Sequence, residues 1–286
     1  MIDIHLRIRP AVPADQHQIA DLISFQHQIH RHLDWHNPLE WLGRQPYFVL
    51  EKEGTIVAVL ACPPDPPSIF WIRLFAFDSN LSGSSTWSLL WSAVQSEIAS
   101  FADATVAAIT TQHWFESILI ENGLNSTQNI VMLKWDRGLF NSQPAPKGIV
   151  VRPMNIEDLP RVAEVDASAF EPLWQNSLST LSRAFSQAVC ASVAEDDSDV
   201  VGYQISTGYR FGTHLARLAV RPAAQKHGIA SSLISALMEH VCRDERLSHI
   251  TVNTQSDNTA SLALYKKIGF QLTGEQYPIY VYRGGI

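Results

Sequence analysis

The chain has 286 residues and a formal net charge of −7, with 46% of its residues hydrophobic and 17% charged. That is apolar material for one large domain or two ordinary ones, and the acidic balance disfavours an extended nucleic-acid surface. No apolar run approaches the roughly 18–20 residues of a membrane span. The charge-interrupted start MIDIHLRIRP lacks the continuous apolar stretch of a secretory signal. The expectations are a cytoplasmic protein with no membrane partner and reduced thiols. Cys62, Cys190 and Cys242 are far apart, without the CxxC spacing of zinc or redox sites.

In chain order, the first signal is an internal echo. LRIRPAVPADQHQIADLISF at 6–25 matches IVVRPMNIEDLPRVAEVDASAF at 149–170: Arg9-Pro10 falls on Arg152-Pro153 and Asp15 on Asp158. Arg73-Leu74 falls on Arg217-Leu218, and Asn122-Gly123-Leu124 on Ile268-Gly269-Phe270, so the offset drifts as in two diverged copies. Five histidines stand at 17, 27, 30, 32 and 36. His32 and His36 have the i,i+4 spacing of helical metal ligands, but no acidic or cysteine partner follows, so a polar helix face or pocket rim is expected and no metal. Trp35, Trp41, Phe48, Trp71, Trp87, Trp91 and Trp114 predict an aromatic core in this half, with an aromatic-lined amine pocket as the alternative.

Residues 137–148, RGLFNSQPAPKG, read as a linker. The chain thus divides into a unit at 1–136 and a second at 149–286. In the second, a strand at 149–153 precedes a helix opened by Asn155 and Asp158, and another helix covers 175–188. Strands follow at 189–195, 199–208 and 213–221, with the acidic tip Glu195, Asp196, Asp197 and Asp199 between the first two. Ile229, Leu233, Ala236, Leu237 and Val241 form the apolar stripe of a helix over 228–242. A strand at 249–255, a helix at 259–268 and strands near 269–273 and 277–282 complete it. Alternating strands and helices imply an α/β fold with a mixed sheet flanked by helices.

Two segments carry chemistry. In LARLAVRPAAQKHGIASSLI, 215–234, a strand ends in a short loop that opens a helix. Unpaired N–H groups and the positive dipole end at such a start accept phosphate oxygens, and small residues at 228 and 230 let a ligand approach the main chain. Read alone, it is equally an ordinary tight turn. In SDNTASLALYKKIGF, 256–270, Asn258 is placed to cap a helix or bond a ligand, and Tyr265 follows two turns later on roughly the same face. Read alone, Tyr265 is a core or rim tyrosine.

Together the two blocks resemble the GNAT superfamily of acetyl-CoA-dependent N-acetyltransferases. Gln225 through Ala230 match its Gln/Arg-x-x-Gly-x-Gly/Ala loop; Asn258, Ala260, Tyr265, Gly269 and Phe270 match its Asn-x-x-Ala…Tyr-x-x-x-Gly-Phe pattern. The resemblance implies two tandem units, each a mixed, mostly antiparallel twisted sheet flanked by helices. It implies that the main chain of Leu218, Ala219 and Val220 pairs with the pantetheine arm of acetyl-CoA. Backbone amides of Gln225, Lys226, His227, Gly228, Ile229 and Ala230, with Ser231, would hold the pyrophosphate; Asn258 would contact the pantetheine region, and Tyr265 would protonate the departing thiolate. No metal is implied. The general base is not marked by pattern; His214, Asp166 and Glu171 are candidates that read equally as structural.

The first copy departs from the pattern. Leu81, Ser84 and Thr86 stand where Gln225, Gly228 and Ala230 do, Gln112 where Asn258 does, and Leu119 where Tyr265 does. A degenerate copy without its own transfer is expected. The expected activity is acetyl transfer, by direct attack in a ternary complex, to the primary amine of a small molecule. A protein or peptide acceptor and a non-catalytic CoA-binding sensor are the alternatives. Overall acidity favours a cationic acceptor, and the oligomeric state is not legible.

Overall fold

The computed structural model describes residues 6–283 except 102, 139, 141 and 198. Two compact units result: residues 1–127 with 277–286, and residues 128–276. Among the described residues no helix is long and apolar enough to cross a membrane.

In the first unit, β1 (Leu6–Pro10), α1 (Gln16–Phe25), β2 (Ile29–Arg31), β3 (Tyr47–Lys52), β4 (Thr55–Ala61), β5 (Ile69–Trp71), β6 (Leu74–Phe77), α2 (Gly83–Ile98), β7 (Thr105–Ile109) and α3 (His113–Glu121) follow one another. The strand order β1-β3-β4-β6-β2 forms one sheet, and β5 runs parallel to β7. Successive side chains of a strand face opposite ways. Phe75 and Phe77 therefore join Trp87, Trp91 and Phe115 in one core, while Leu74 and Ala76 join Ile19, Leu22 and Trp41 in the other.

Then come β8 (Asn125–Asp136), β9 (Ile149–Pro153), α4 (Leu159–Ala169), α5 (Leu178–Ser186), β10 (Ala188–Asp196), β11 (Asp199–Tyr209), β12 (Gly212–Val220), α6 (Ile229–Arg243), β13 (His249–Gln255), α7 (Thr259–Ile268) and β14 (Gln271–Arg283). In the second unit β9, β10, β11 and β12 pair antiparallel in turn, β12 pairs parallel with β13, and β13 pairs with residues 130–136 of β8. Of the predicted α6 stripe, Leu237 and Val241 pack with Ile234, Met238, Leu215, Ile250 and Val252, while Ile229 and Leu233 pack with Ala194, Val201 and Val220.

The Arg-Pro…Asp echo is one local structure made twice. Arg9 pairs with Asp15 and Glu51, each at 2.7 Å, and Arg152 with Asp158 at 2.7 Å and with Glu195. In both, the aspartate also accepts a backbone N–H three residues upstream, from Val12 or Asn155.

The division differs from the expected 1–136 and 149–286 in its outer strands. Residues 130–136 pair with β13 of the second unit, and residues 279–283 pair with β7 of the first. Apolar alternation marks a strand but not its partner. Residues 271–283 also form one strand rather than the two expected. The expected linker is anchored: Arg137 donates to the carbonyls of Cys242, Asp244 and Leu247, and Gln143 N donates to Ser235 Oγ at 2.9 Å.

Candidate active site

The site begins with a disagreement between two strands. β12 and β13 pair over four rungs, the last being Leu215 opposite Val252. Beyond it β12 runs on to Val220 against β11. A register shift lies there: Ile205 is opposite Arg217 and Ser206 opposite Leu215, leaving Ala216 as the extra residue. A bulge of this kind bends a strand and raises its twist, which parts β12 from β13. Alternate residues of an antiparallel strand turn their N–H and C=O away from the partner. From 217 to 220 that outward edge has no strand beside it among the described residues.

The edge leads to the loop before α6. Gln225 Nε2 donates to Val220 O at 2.9 Å and folds the loop back on the strand end. Lys226 (φ 66°) and Gly228 (φ 90°) both adopt left-handed backbone, which costs an L side chain roughly 1–2 kcal/mol and glycine nothing. Gly228 is the N-cap of α6 and offers no side-chain cap; the first bond into it runs from Ser232 N to its carbonyl at 3.1 Å. The N–H groups of residues 226–230 therefore have no partner among the described residues, and the loop from Gln225 to Gly228 is exposed. A row of free donors at the positive end of a fifteen-residue helix is suited to an anion.

Tyr265 lies in the cluster that holds Leu215 and Val252, the last rung of the ladder. Its ring is tilted against Phe270 with centroids 5.6 Å apart. The residue is 5% exposed, and its hydroxyl has no hydrogen-bond partner among the described residues. Burial pushes the phenol well above its ordinary value, so it carries its proton throughout the neutral range. Asn258 caps α7, its Oδ1 accepting from Ser261 N at 3.0 Å, with Nδ2 3.4 Å from Gln255 Oε1.

The base candidates separate. Asp166 is fully buried and accepts from Arg217 Nε at 2.7 Å and Nη2 at 2.9 Å, from Asn176 N at 2.7 Å and from the Tyr203 hydroxyl. With four donors aimed at it, it anchors α4 to the bulged strand and has no lone pair to spare for an amine. Arg217 also lies over the Phe170 ring, 3.5 Å from its centroid. This network escaped the sequence reading: no local spacing links residues 166, 203 and 217. His214 stands one rung before the strands part, opposite Thr251, with Nδ1 2.9 Å from Thr251 Oγ1. Burial lowers its pKa, partly countered by Asn253, and holds the ring neutral. Glu171 caps a short turn through its carbonyl, which accepts from Trp174 N at 2.8 Å.

The histidine-rich segment is not one helix face: His17 alone of the five lies on α1, exposed beside Asp21. His32 stacks on Trp71 at 4.8 Å, and His36 meets Trp41 edge-on and Glu40 at 3.1 Å; neither is helical. His30 is buried in strand β2. Burial also pushes the Cys62 thiol up. A cavity of about 400 Å³ lined by Tyr209, Arg210, Thr213, His240, Asp244 and Arg246 sits at the C-terminal end of α6, away from Gly228.

The acetyltransferase (GNAT) family matches residues 159–270. These residues belong to that family, and the chain carries an acetyl-transferring enzyme domain. An uncharacterized N-acetyltransferase of Methanocaldococcus jannaschii is 25% identical over 123 residues, 43% of this chain and 78% of that protein. A candidate [ribosomal protein bS18]-alanine N-acetyltransferase of Bacillus subtilis is 23% identical over 134 residues, 47% of this chain and 88% of the relative. The solved structure of a tandem GNAT protein from the clavulanic acid biosynthesis pathway superimposes with a TM-score of 0.64 at 14% identity, covering 98% of this chain and 99% of its own. That likeness extends the fold, though not the activity, to the whole chain.

Proposed function

We propose that the second unit transfers the acetyl group of acetyl-CoA to the primary amine of a small molecule, by direct attack with donor and acceptor bound together. The observation that carries this reading is the parting of β12 from β13 just where the unpaired edge 217–220 leads into the uncapped start of α6. An extended amide arm pairs with that edge as an added strand would, through the main chain of Leu218, Ala219 and Val220. The pyrophosphate lies on the free N–H groups from Gln225 to Ala230, with Ser231 beside them; Lys226 adds positive charge. Gly228 fits such a ligand: a side chain there would be strained at its φ of 90°.

At the reacting end, attack of the amine expels a thiolate. The Tyr265 hydroxyl, protonated and without a partner, supplies the proton that thiolate needs. Asn258 remains near the arm as a helix cap whose amide N–H is weakly engaged. The amine must arrive neutral. His214, itself neutral and one rung before the fork, is our base candidate; Asp166 is committed to Arg217.

A second reading, a protein N-terminus as acceptor, draws support from the name of the Bacillus subtilis relative. A screen of amines, amino acids and peptides with acetyl-CoA, read by free-thiol release, tests both. Release with small amines supports the first reading, release with peptides alone the second, and no release with any of them overturns the enzyme reading.

A further inference from the structure

The first unit contains the same fork, and it is filled. There β5 pairs parallel with β7 as β12 does with β13. β6 continues the first strand, pairing Phe77 with Ala58 as Val220 pairs with Gly202. Ala58 and Gly202 hold the same place after their hairpins: Leu50 is opposite Ala58 and Ala194 opposite Gly202. Leu74–Phe77 thus takes the place of Arg217–Val220, one residue out of step with the Arg-Leu match in sequence.

On the free side of β6 lies β2, antiparallel, with Ile29 opposite Ala76, His30 opposite Phe75 and Arg31 opposite Leu74. The pairing extends past both ends: His32 N donates to Arg73 O at 3.0 Å, and Ser79 N donates to Gln26 Oε1 at 3.1 Å. His30 locks the strand in. Its ring stacks on Phe115 with centroids 4.2 Å apart, and Nε2 donates to Ile72 O at 2.9 Å, at the break between β5 and β6. Arg31 Nη2 adds a bond to Ile23 O at 2.7 Å.

We infer that strand β2 stands in for the pantetheine arm in the first unit, so that the chain's own backbone occupies the fork and the unit takes no acetyl-CoA. One donor at the phosphate end is taken independently. Ser82 caps α2 with its own hydroxyl, accepting from Ser85 N. Gly83 follows that cap because a Cβ there would come within 2.8 Å of Phe77 Cζ, a packing reason and not a ligand one. The segment that sequence marks only by its histidines thereby acquires a role.

The inference rests on reading 217–220 as the donor's edge, and the test separates the two. Acetyl-CoA is titrated calorimetrically and by native mass spectrometry into the full chain and into Gly228→Glu. Amide exchange is followed at 29–32 and 74–76 with and without the ligand. Expected are one equivalent per wild-type chain, none for the variant, and slow exchange at 29–32 that saturating acetyl-CoA does not change. A second equivalent, residual binding by Gly228→Glu, or altered exchange at 29–32 on ligand addition overturns the inference while leaving the second unit's site intact. Absence of any binding to the wild type overturns the reading of both forks.

Discussion

Acidification should destabilise the first unit through His30. Burial pushes this ring from 6.5 to about 4, with Phe115 on one face and the Ile72 carbonyl as its polar partner. Above pH 6.5 neither the folded nor the unfolded chain protonates the ring. Between 6.5 and about 4 the unfolded chain binds a proton that the folded one refuses, so stability falls as pH drops through that window. At ~1.4 kcal/mol per pH unit the full difference is about 3 kcal/mol, of which about 2 kcal/mol is reached at pH 5. Burial pushes His32 down as well, with Arg73 assisting, so the wild-type loss exceeds this value. Urea unfolding followed by tryptophan fluorescence suits the measurement, because Trp41, Trp71, Trp87 and Trp91 are all buried in this unit. His30→Gln keeps a donor for Ile72 O and removes the titration. Its stability should fall by about 2 kcal/mol less than that of the wild type between pH 7.5 and pH 5. Identical pH dependence in the two proteins would refute the buried, neutral ring.

Tyr265→Phe should lower the transfer rate by ~100-fold or more with little change in acetyl-CoA affinity, since only a proton donor is lost; unchanged single-turnover rates would remove Tyr265 from the chemistry. Gly228→Val should weaken acetyl-CoA binding and cost roughly 1–2 kcal/mol of stability from its φ of 90°; wild-type affinity by calorimetry would count against the loop. Asp166→Ala leaves Arg217 buried without its carboxylate and should cost ~3–5 kcal/mol in urea unfolding. A loss below 1 kcal/mol would mean that Asp166 is no anchor.

The elements of the second unit were legible because each rests on local periodicity: the α6 stripe from Ile229 to Val241, the cap at Asn258, the turn beyond Asp196. The loop at Gln225–Ala230 was legible as a sequence of small residues, and its left-handed Gly228 is the local geometry such a sequence permits. What sequence could not supply was partnership between distant strands. Residues 279–283 read as a strand of the second unit and pair in the first. The base candidates also looked alike in sequence, since nothing local reveals that three residues, 176, 203 and 217, aim their donors at Asp166.

The histidine segment is the sharpest case. Read linearly, His32 and His36 suggest helical spacing, yet the chain there is a short strand and an irregular turn, because β6 offers an unpaired edge that only the assembled sheet possesses. Hydrogen-bond donors in a helix find acceptors four residues away, so the helices of the second unit and the Asn258 cap were legible in the sequence. A strand edge finds its partner across the fold. Tertiary structure therefore decided which fork of this protein is open and which one is filled by its own backbone.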